Sequence, residues 1–573
     1  MKRRIKTECE KQFMIGNRKN YVMTVISLII SAITDVSLAF VLLYVFQAFE
    51  EKSSGTANST TTLIAALVFA ALFCVFYVVF KLMKRNYMNK YLKTALAQFK
   101  DYVFGKILSK SIAGYAHESS AKFISAFSND LSSIETNYLI GTLNIIGSIL
   151  TFVGSAIAMI VIAPLLGALM VLAAVLCLAI SLIYGRKLIS KESKTAHENM
   201  TFIDQVKDLL NGFIVIKSFK AEKEVQEIFR GRNIELESSK QSRRVTSDTV
   251  TILGDITSLV ITVVLFAGGF LFGINTGMLM AFIQLANYML GPVRQLGAGM
   301  SNRRAAIGLI ERISDAIEND IVDTEAEKEK LTGVENGIDF EHLNFSYENN
   351  KKALRNISLH FDSGKSYAIV GSSGSGKSTL LKLMMGFYPD YTGSLKINGQ
   401  EMRDISIDSL YDYVSVIQQD VFLFNSTIHN NITMFRDFDD EAVASAAERA
   451  GLSKLIAEKG AEYLCGESGH NLSGGEKQRV AIARCLIRNT PVLLMDEATA
   501  ALDSETAFSV TNEILNIDGL TRIIVTHGLE ESLLRRYDEI IVVQNGRISE
   551  QGSFDDLMQR KGYFYSLYNV FQS

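Results

Sequence analysis

The chain has 573 residues, of which 48% are hydrophobic, and its formal net charge is −3. This length allows several domains, and the high apolar content favours a membrane protein. The nearly balanced charge argues against a nucleic-acid partner, which would require a broadly basic surface. The five cysteines are widely spaced without a C-x-x-C pair, so neither a disulfide framework nor a zinc site is indicated.

Six apolar stretches in the first half of the chain are each long enough to cross a bilayer. The run from Tyr138 to Gly185 has no charge over 48 residues. As one helix it would be about 72 Å long, more than twice the thickness of a hydrocarbon core, so it must turn, and Ala163-Pro164 is the natural place. Gly273 to Gly277 divides a second such run. The predicted spans are 21–46, 63–83, 138–162, 165–185, 250–273 and 277–293.

Lys and Arg are concentrated in the segments that would face the cytosol. Residues 1–20 contain seven Lys or Arg against two Glu, which places the N-terminus inside. The two long connections then also lie inside, as helical extensions over 84–137 and 186–249. We expect the turns of these extensions, Ser111 to Lys122 and Asn211 to Lys220, to contact a cytosolic domain formed by the second half of the chain, because an apolar tip would otherwise be exposed. Local packing within each helical hairpin is the alternative.

Two carboxylates interrupt the predicted spans, Asp35 in the first and Asp255 at the start of the fifth. A charge in lipid is costly, so both side chains should face other helices or a wet cavity. Asn144, Gln284 and Asn287 are less costly. Hydrogen bonds between helices and contact with cargo are equally compatible with these residues.

From about Ile338 the pattern changes to β runs with Gly-rich turns. We place the boundary near residue 330, which gives domains 1–330 and 331–573. The sequence GSSGSGKST, Gly371 to Thr379, follows a strand-like run and precedes a helix-like one. In this context it predicts a P-loop, whose backbone N–H groups and helix N-terminus bind a polyphosphate. Lys377 would reach the β- and γ-phosphates, and Ser378 would hold Mg²⁺.

Two further motifs complete the chemistry. LSGGEKQR, from Leu472, opens an apolar helix, and its two glycines make helix capping alone a weak explanation, so a second anion site is the better interpretation. The apolar run Val492 to Met495 ends in Asp496 and Glu497. Asp496 would hold Mg²⁺, and Glu497 would polarise an attacking water. Phosphoryl transfer depends mostly on positioning and charge neutralisation, which these groups supply.

The ordered set of motifs resembles that of ABC transporters, and six spans before the ATPase resemble a half-transporter of the exporter type. The resemblance extends over essentially the whole chain. It implies a membrane all-α six-helix transmembrane domain followed by an α/β P-loop (RecA-like) nucleotide-binding domain with a helical subdomain. It also implies ATP and Mg²⁺ as cofactors and ATP hydrolysis coupled to transport.

The resemblance adds roles for residues that spacing alone does not assign. Tyr347 would stack on adenine, Gln419 would be the Q-loop glutamine, Asp503 the D-loop aspartate and His527 the switch histidine near the γ-phosphate. The candidate catalytic residues are thus Glu497, His527, Lys377 and Gln419, and the candidate Mg²⁺ ligands are Ser378, Gln419 and Asp496. The candidate nucleotide-binding residues are Tyr347, Gly371, Ser372, Ser373, Gly374, Ser375, Gly376, Lys377, Ser378, Thr379, Ser473, Gly474 and Gly475.

The family resemblance further implies that two chains enclose two ATP molecules, each P-loop being completed by Ser473, Gly474 and Gly475 of the other chain. Because neither Glu497 nor LSGG is degenerate, we expect a homodimer, and a heterodimer stays open. The chain should lie in the cell membrane, among lipids and without nucleic acid, with the N-terminus and the ATP-binding domain in the cytoplasm. Export is the expected direction. The alternatives are an importer on the exporter scaffold, as for metal-chelate uptake, and a membrane-anchored ABC ATPase with a regulatory or sensing role.

Overall fold

A computed structural model describes residues 8–55, 59–110, 112–116, 123–124, 126–271, 273–318, 328–347, 352–497 and 502–572. The chain divides into two compact units. The first, here the helical unit, comprises Met1–Ser109 and Ser119–Asn319, and the second, here the α/β unit, comprises Lys110–Glu118 and Asp320–Ser573. The domain boundary near residue 330 stays a prediction, and residues 319–327 lie outside the described ranges. The predicted turn Ser111 to Lys122 is described only at 112–116 and so also stays a prediction.

Long helices make up the helical unit. They and the short segments between them are α1 (Arg18–Ser53), α2 (Ser59–Leu108), α3 (Ile112–Ala116, grouped with the α/β unit), a π-helix (Ala126–Asp130), α4 (Leu131–Ser133), a second π-helix (Ile134–Ile140), α5 (Gly141–Ile162), α6 (Pro164–Asn211), α7 (Phe213–Ser218), α8 (Glu222–Leu271) and α9 (Thr276–Glu318).

The six predicted spans correspond to helices α1, α2, α5, α6, α8 and α9. The span 138–162 begins in the π-helix Ile134–Ile140, and the span 250–273 extends past the end of α8 at Leu271. Among the described residues, four helical stretches are long and apolar enough to cross a membrane, in α1, α2, Ala126–Ile162 and α8, and α6 adds the shorter apolar stretch Pro164–Leu176. The exact membrane boundaries stay predictions.

The two predicted extensions are helical where the structure describes them. Helix α2 continues to Leu108, α6 continues to Asn211, and α8 begins at Glu222. The short helix α7 occupies the predicted second turn, and its Phe213, Ile214 and Val215 are exposed. Both long connections therefore prolong the spans as helices rather than forming irregular loops.

The charge-free run turns where the sequence predicts. Ala163 leaves helical geometry, with φ −148° and ψ 100°, and Pro164 is the first residue of α6, a position where its missing N–H has no cost. A Cβ atom on Gly167 would lie 2.6 Å from the carbonyl carbon and oxygen of Met159. The close approach of α6 to the end of α5 therefore requires glycine at this position.

Asp35 forms contacts between helices. Its carboxylate accepts hydrogen bonds from Lys81 Nζ at 2.8 Å and from Tyr77 Oη at 3.1 Å, and Lys81 Nζ also donates to Ser31 Oγ at 3.0 Å. The group joins α1 to α2. Pairing with Lys81 offsets the cost of an apolar environment for the carboxylate.

The α/β unit contains ten strands among its described residues. They are β1 (Ile338–Ser346), β2 (Lys352–Phe361), β3 (Ser366–Val370), β4 (Thr392–Ile397), β5 (Gln400–Glu401), β6 (Val414–Ile417), β7 (Val492–Asp496), β8 (Thr521–Val525), β9 (Glu539–Gln544) and β10 (Arg547–Gly552). The helices are α10 (Lys377–Met384), α11 (Ile407–Tyr413), α12 (Ile428–Thr433), α13 (Asp440–Arg449), α14 (Ser453–Lys459), α15 (Gly474–Leu486), α16 (Ser504–Leu515), α17 (Glu531–Leu534), α18 (Phe554–Arg560) and α19 (Tyr563–Gln572), with 3₁₀ turns at Met402–Asp404 and Glu467–Gly469.

Two sheets organise the unit. One has the order β2-β1-β4-β5 and is antiparallel, and the other has the order β10-β9-β3-β8-β7-β6. In the second sheet β3 pairs in parallel with β8 and β9, and β7 with β6 and β8, whereas β10 is antiparallel to β9. Alternate residues of β3 enter two cores: Ala368 and Val370 pack with helices α12 to α15, and Tyr367 and Ile369 pack with α10 and the antiparallel sheet. Burial on both faces explains why β3 is apolar from Tyr367 to Val370.

A half-buried acid, Glu401, stabilises the antiparallel sheet. Glu401 accepts hydrogen bonds from Tyr391 Oη at 2.7 Å, Ser394 Oγ at 2.5 Å and Arg403 Nε at 3.1 Å. Burial opposes ionisation of Glu401, but the hydrogen bonds from Ser394 and Tyr391 outweigh it and lower the pKa of the carboxyl. A lowered pKa stabilises the fold above the ordinary glutamate pKa, and that contribution is lost as the pH falls through the lowered value.

We predict that Glu401→Gln lowers the unfolding temperature of the α/β unit at pH 7 by about 3 to 8 °C, because charge-assisted hydrogen bonds are lost. The difference should shrink as the pH falls below the ordinary glutamate pKa and through the lowered pKa of Glu401, where the wild-type carboxyl takes up a proton. Calorimetry of the intact protein measures both. Glu341→Gln is the control, since Glu341 is 57% exposed and pairs with Lys396 at the surface. Equal effects of the two substitutions would contradict the prediction.

Candidate functional site

The carboxyl ends of parallel strands bring the predicted motifs to one edge of the six-stranded sheet. Strand β8 lies between β3 and β7. The Gly371 loop follows β3, Glu497 follows β7, and His527 comes two residues after β8. Ligand sites in parallel sheets form at this edge, because the loops that leave neighbouring strands meet there.

The loop from Gly371 to Gly376 has the backbone geometry of a phosphate cradle. Gly371, Gly374 and Gly376 have φ values of +154°, +74° and +114°, which favour glycine. Helix α10 begins directly after them at Lys377. The N–H groups of the loop and of the first turn of this helix are therefore available to an anion.

Lys377 is only 4% exposed. Its ammonium donates to the carbonyl oxygens of Gly371 at 2.9 Å and Ser372 at 3.1 Å. Burial lowers the pKa of Lys377, and the charges of Glu497 and Asp496 oppose this shift. A cation held only by neutral carbonyl oxygens fits an anionic ligand placed within the loop.

Ser378 and Asp496 are adjacent, with Ser378 Oγ donating to Asp496 Oδ1 at 3.0 Å. Burial raises the pKa of Asp496, with a further contribution from the charge of Glu497, while the Ser378 hydrogen bond opposes it. The described part of the chain has no group of three or more His, Cys, Asp or Glu arranged for a metal ion. A hydroxyl and one carboxylate fit Mg²⁺ that completes its shell with phosphate oxygens and water.

Glu497 lies between two polar side chains. Its Oε2 atom accepts a hydrogen bond from Gln419 Nε2 at 2.8 Å, and its Oε1 atom lies 2.8 Å from His527 Nε2. The backbone of Glu497 has φ +50°, and its N–H donates to the Val525 carbonyl at 3.0 Å. A non-glycine residue in this region is strained, which is common at functional sites.

These residues surround a cavity of about 530 Å³. Ten of the predicted site residues line it, namely Tyr347, Ser373, Gly374, Gly376, Lys377, Ser378, Thr379, Gln419, Glu497 and His527. The carbonyl oxygens of Gly371 and Ser372 accept hydrogen bonds from Lys377, and Asp496 accepts one from Ser378. Tyr347 Oη lies 2.9 Å from Thr379 Oγ1, and its ring packs at right angles to Tyr388. The aromatic ring therefore borders the phosphate loop.

The sequence did not predict five of the residues that line the cavity, namely Lys352, Ala353, Arg355, Asn545 and Gly546. The turn Asn545-Gly546 supports the loop, because Gly546 N–H donates to the Ser375 carbonyl at 2.9 Å and Arg355 N–H donates to the Gly546 carbonyl at 2.7 Å. Asn-Gly between two β runs is a turn signal. Nothing in the local sequence indicates that this turn packs against a loop some 170 residues earlier.

Ser473, Gly474 and Gly475 do not line the cavity of their own chain. Ser473 caps α15: its hydroxyl accepts from Glu476 N–H, and the Glu476 carboxylate accepts from Ser473 N–H. Ser473 and Gly474 are exposed. The motif therefore presents a helix N-terminus at the surface.

One unit is predominantly helical and contains apolar helices of membrane length. The other has an α/β fold in which a P-loop faces acidic residues. Together these features define a membrane-integral P-loop ATPase. Family comparison is consistent with this class. Residues 21–293 match the ABC transporter transmembrane region, and residues 354–500 match the ABC transporter domain.

Individual relatives match over most of their length. A Bacillus subtilis protein whose name proposes a multidrug export ATP-binding/permease role is 29% identical, over 98% of each chain. An ATP-dependent lipid A-core flippase of Saccharophagus degradans is 30% identical over 72% of this chain and 69% of its own. The structure of a bacterial Atm1-family ABC exporter with ATP bound superposes with a TM-score of 0.80 at 25% identity, covering 97% of this chain and 98% of the exporter chain.

The chain belongs to the ABC transporter family. It is an integral membrane protein with the fold of an exporter-type half-transporter, and it couples ATP hydrolysis to transport. The predicted fold class is confirmed. The comparisons do not favour the importer alternative.

We predict that Gly371→Ala abolishes nucleotide binding, because the added Cβ would lie 2.2 Å from the Val543 carbonyl oxygen, which belongs to a central strand. Gly374→Ala should only weaken binding, since a Cβ there has no atom within 4 Å and the cost is about 1 to 2 kcal/mol of left-handed strain. Binding of a fluorescent ATP analogue to the purified protein measures both. Gly399→Ala is the control, because Gly399 has φ +81° and a Cβ there would meet open space outside the cavity. This variant should bind nucleotide normally. A loss of nucleotide binding in Gly399→Ala would mean that general backbone strain causes the effects.

Proposed function

We propose that the chain forms a homodimeric exporter that hydrolyses ATP at two sites, each shared between two chains. The observation that carries this proposal is the position of Glu497, between Gln419 and His527 and on the same cavity as Lys377. The names of the relatives support export. The Lys and Arg bias of residues 1–20 supports a cytoplasmic N-terminus and ATP-binding domain in the cell membrane.

In the proposed reaction, Lys377 and the loop N–H groups bind the β- and γ-phosphates of ATP, and the ring of Tyr347 contacts the adenine. Ser378, Asp496 and Gln419 would hold Mg²⁺, which would supply positive charge to neutralise the phosphates. Glu497 orients and deprotonates the water that attacks the γ-phosphorus, while the bond to the β–γ bridging oxygen breaks. His527 donates a hydrogen bond to the γ-phosphate as its charge shifts.

Both carboxylate oxygens of Glu497 are engaged, one by Gln419 and one by His527. Each of these oxygens keeps a second lone pair, so the carboxylate can accept a proton from the attacking water while Gln419 and His527 hold it in place.

The exposed N-terminus of α15 supports completion by a partner. Ser473, Gly474 and Gly475 lie outside the cavity of their own chain, yet the exposed residues carry N–H groups suited to phosphate. We assign them to the ATP bound by the other chain. The resulting dimer has two equivalent sites, as expected for a twofold-symmetric pair.

Two exposed apolar surfaces support coupling between hydrolysis and transport. In the helical unit, the side chain of Ile214 in α7 is 81% exposed, and that of Phe219, the residue after α7, is 80% exposed. In the α/β unit, Phe422 and Phe435 are exposed on either side of Phe424, whose ring contacts both. Apolar patches of this kind indicate contact surfaces. We propose that closure of the two ATP sites moves α7 and that α6 and α8 transmit this movement to the membrane.

We predict that Glu497→Gln lowers ATP turnover at least about 100-fold, because an amide cannot accept the proton of the attacking water. ATP binding should persist, since Lys377 and the loop remain. Phosphate release and equilibrium binding of a fluorescent ATP analogue separate the two effects in the reconstituted dimer. Glu462→Gln, an exposed change outside the cavity, should turn over normally. Undiminished hydrolysis by the Glu497 variant would refute its role.

A mixing experiment tests the shared sites. Lys377→Ala and Ser473→Arg proteins should each be inactive alone. A reassembled equal mixture should regain up to about a quarter of the wild-type rate, because about half of the dimers are mixed and each keeps one complete site. If each chain completed its own site, mixing would restore nothing. Failure of the chain to self-associate when purified alone would instead favour a heterodimer.

A further inference from the structure

The loop that carries Gln419, here the glutamine loop, comprises residues 418–427 between strand β6 and helix α12, and it contains no helix or strand. Gln419 is exposed near the start of the loop, and its side-chain amide donates to Glu497 Oε2 at 2.8 Å. Holding an exposed side chain on an irregular loop in one position costs conformational entropy. The contact therefore persists only when other residues hold the loop in place.

Few contacts hold the next part of the glutamine loop. Val421 and Leu423 pack against the apolar core beside α12 to α15. Within the described ranges, residues 420–423 make one hydrogen bond, in which the Phe422 carbonyl oxygen accepts from Arg484 Nη1 at 3.2 Å. Apolar packing is non-directional, so this hydrogen bond is the contact that fixes the direction of the main chain.

The guanidinium of Arg484, near the end of α15, also holds the second half of the glutamine loop. Its Nε donates to the Asn431 carbonyl oxygen at 2.9 Å and its Nη2 to Asn431 Oδ1 at 3.3 Å. Asn431 is fully buried. Its side-chain amide donates to the carbonyl oxygens of Phe424 and Thr427, both at 3.0 Å, and its Oδ1 accepts from the Phe424 N–H at 2.8 Å. Arg484 thus holds Phe422 directly and the rest of the loop through Asn431.

The acceptors of Arg484 are all neutral oxygens. Within the part of the chain that the structure describes, no carboxylate pairs with this half-buried guanidinium, and burial lowers the pKa of Arg484. A cation withdrawn from water without a counter-charge is costly, and an apolar side chain of similar volume would fill the same space at lower cost. The contribution specific to arginine is directional, because its N–H groups lie in one rigid plane and align three oxygen atoms.

We propose that Arg484 is a positioning residue for ATP hydrolysis, which holds the glutamine loop so that Gln419 of the same chain stays against Glu497. The inference rests on the proposed roles of Gln419 and Glu497. Arg484 does not line the ATP cavity, so it acts through the loop. Without the guanidinium the loop keeps its apolar packing, but Glu497 loses one of the two side chains that orient it.

The first test is a double-mutant cycle on the reconstituted dimer. Arg484→Met removes the guanidinium and should lower kcat about tenfold through the displaced Gln419. Binding of a fluorescent ATP analogue should change less than about twofold, since Lys377 and the P-loop are intact. In a Gln419→Ala background, Arg484→Met should lower kcat less than about twofold, because its effect passes through Gln419. A full tenfold loss in that background would overturn the proposal. Normal hydrolysis by Gln419→Ala would instead reject the proposed role of Gln419.

Arg488→Met is the matched control. Arg488 follows four residues later and also donates to a backbone carbonyl, that of Tyr411 in α11, away from the glutamine loop. This variant should keep kcat within about twofold of wild type, and unfolding temperatures are measured in the same samples. Arg484→Lys keeps the charge but not the planar set of donors. It should give an intermediate kcat, and it replaces Arg484→Met in the cycle if that variant does not assemble. Equal losses of kcat in Arg484→Met and Arg488→Met would assign the effect to general packing and overturn the proposal.

Mixed dimers show which ATP site Arg484 serves. Arg484→Met mixed with Ser473→Arg should regain up to about a quarter of the wild-type rate, because the Ser473→Arg chain keeps its own P-loop and Gln419 and receives an intact Ser473. Arg484→Met mixed with Lys377→Ala should not exceed the residual rate of Arg484→Met. The reverse pattern would assign Arg484 to the N-terminus of α15, and recovery with neither partner would indicate general damage; both overturn the proposal.

The mixture of Lys377→Ala and Ser473→Arg is measured in parallel. If it regains nothing, the site shared between chains is rejected, and the double-mutant cycle decides the role of Arg484 by itself. The cycle compares variants within one chain, so its outcome does not depend on how the two chains share ATP.

Discussion

The parallel pairing of β3, β8 and β7 is the constraint on which the ATP site depends. Ile369 pairs with Val525, and Val525 pairs with Asp496. The carboxyl ends of β3, β8 and β7 therefore lie side by side. The hydrogen-bonded register holds the Gly371 loop, the acidic pair and His527 within one cavity. No contact among the side chains themselves could position groups that are more than 100 residues apart along the chain.

Main-chain contacts also hold the phosphate-binding loop in place. Gly371 lies so close to the Val543 carbonyl that no Cβ fits, and Gly546 N–H binds the Ser375 carbonyl. These contacts involve main-chain atoms of β9 and of the β9–β10 turn, which change little with side-chain identity. The cradle is therefore formed before a ligand arrives, which reduces the entropy lost on binding.

The helical unit has to accommodate polar side chains in apolar surroundings. The charge of Asp35 is balanced by Lys81 of the neighbouring helix, and Tyr77 of that helix donates a further hydrogen bond. The carboxylate therefore joins α1 to α2.

The sequence by itself determined the features that depend on neighbouring residues: the apolar lengths of the spans, the turn at Ala163-Pro164, the P-loop at Gly371 to Thr379 and the strand that ends in Asp496 and Glu497. Gln419 and His527 came only from the family resemblance, because single polar residues carry little local signal. Tertiary structure decided the rest. The contacts of Glu497 and the support of the P-loop by Asn545-Gly546 join segments distant in the chain. Their geometry follows from strand register, which local patterns do not specify.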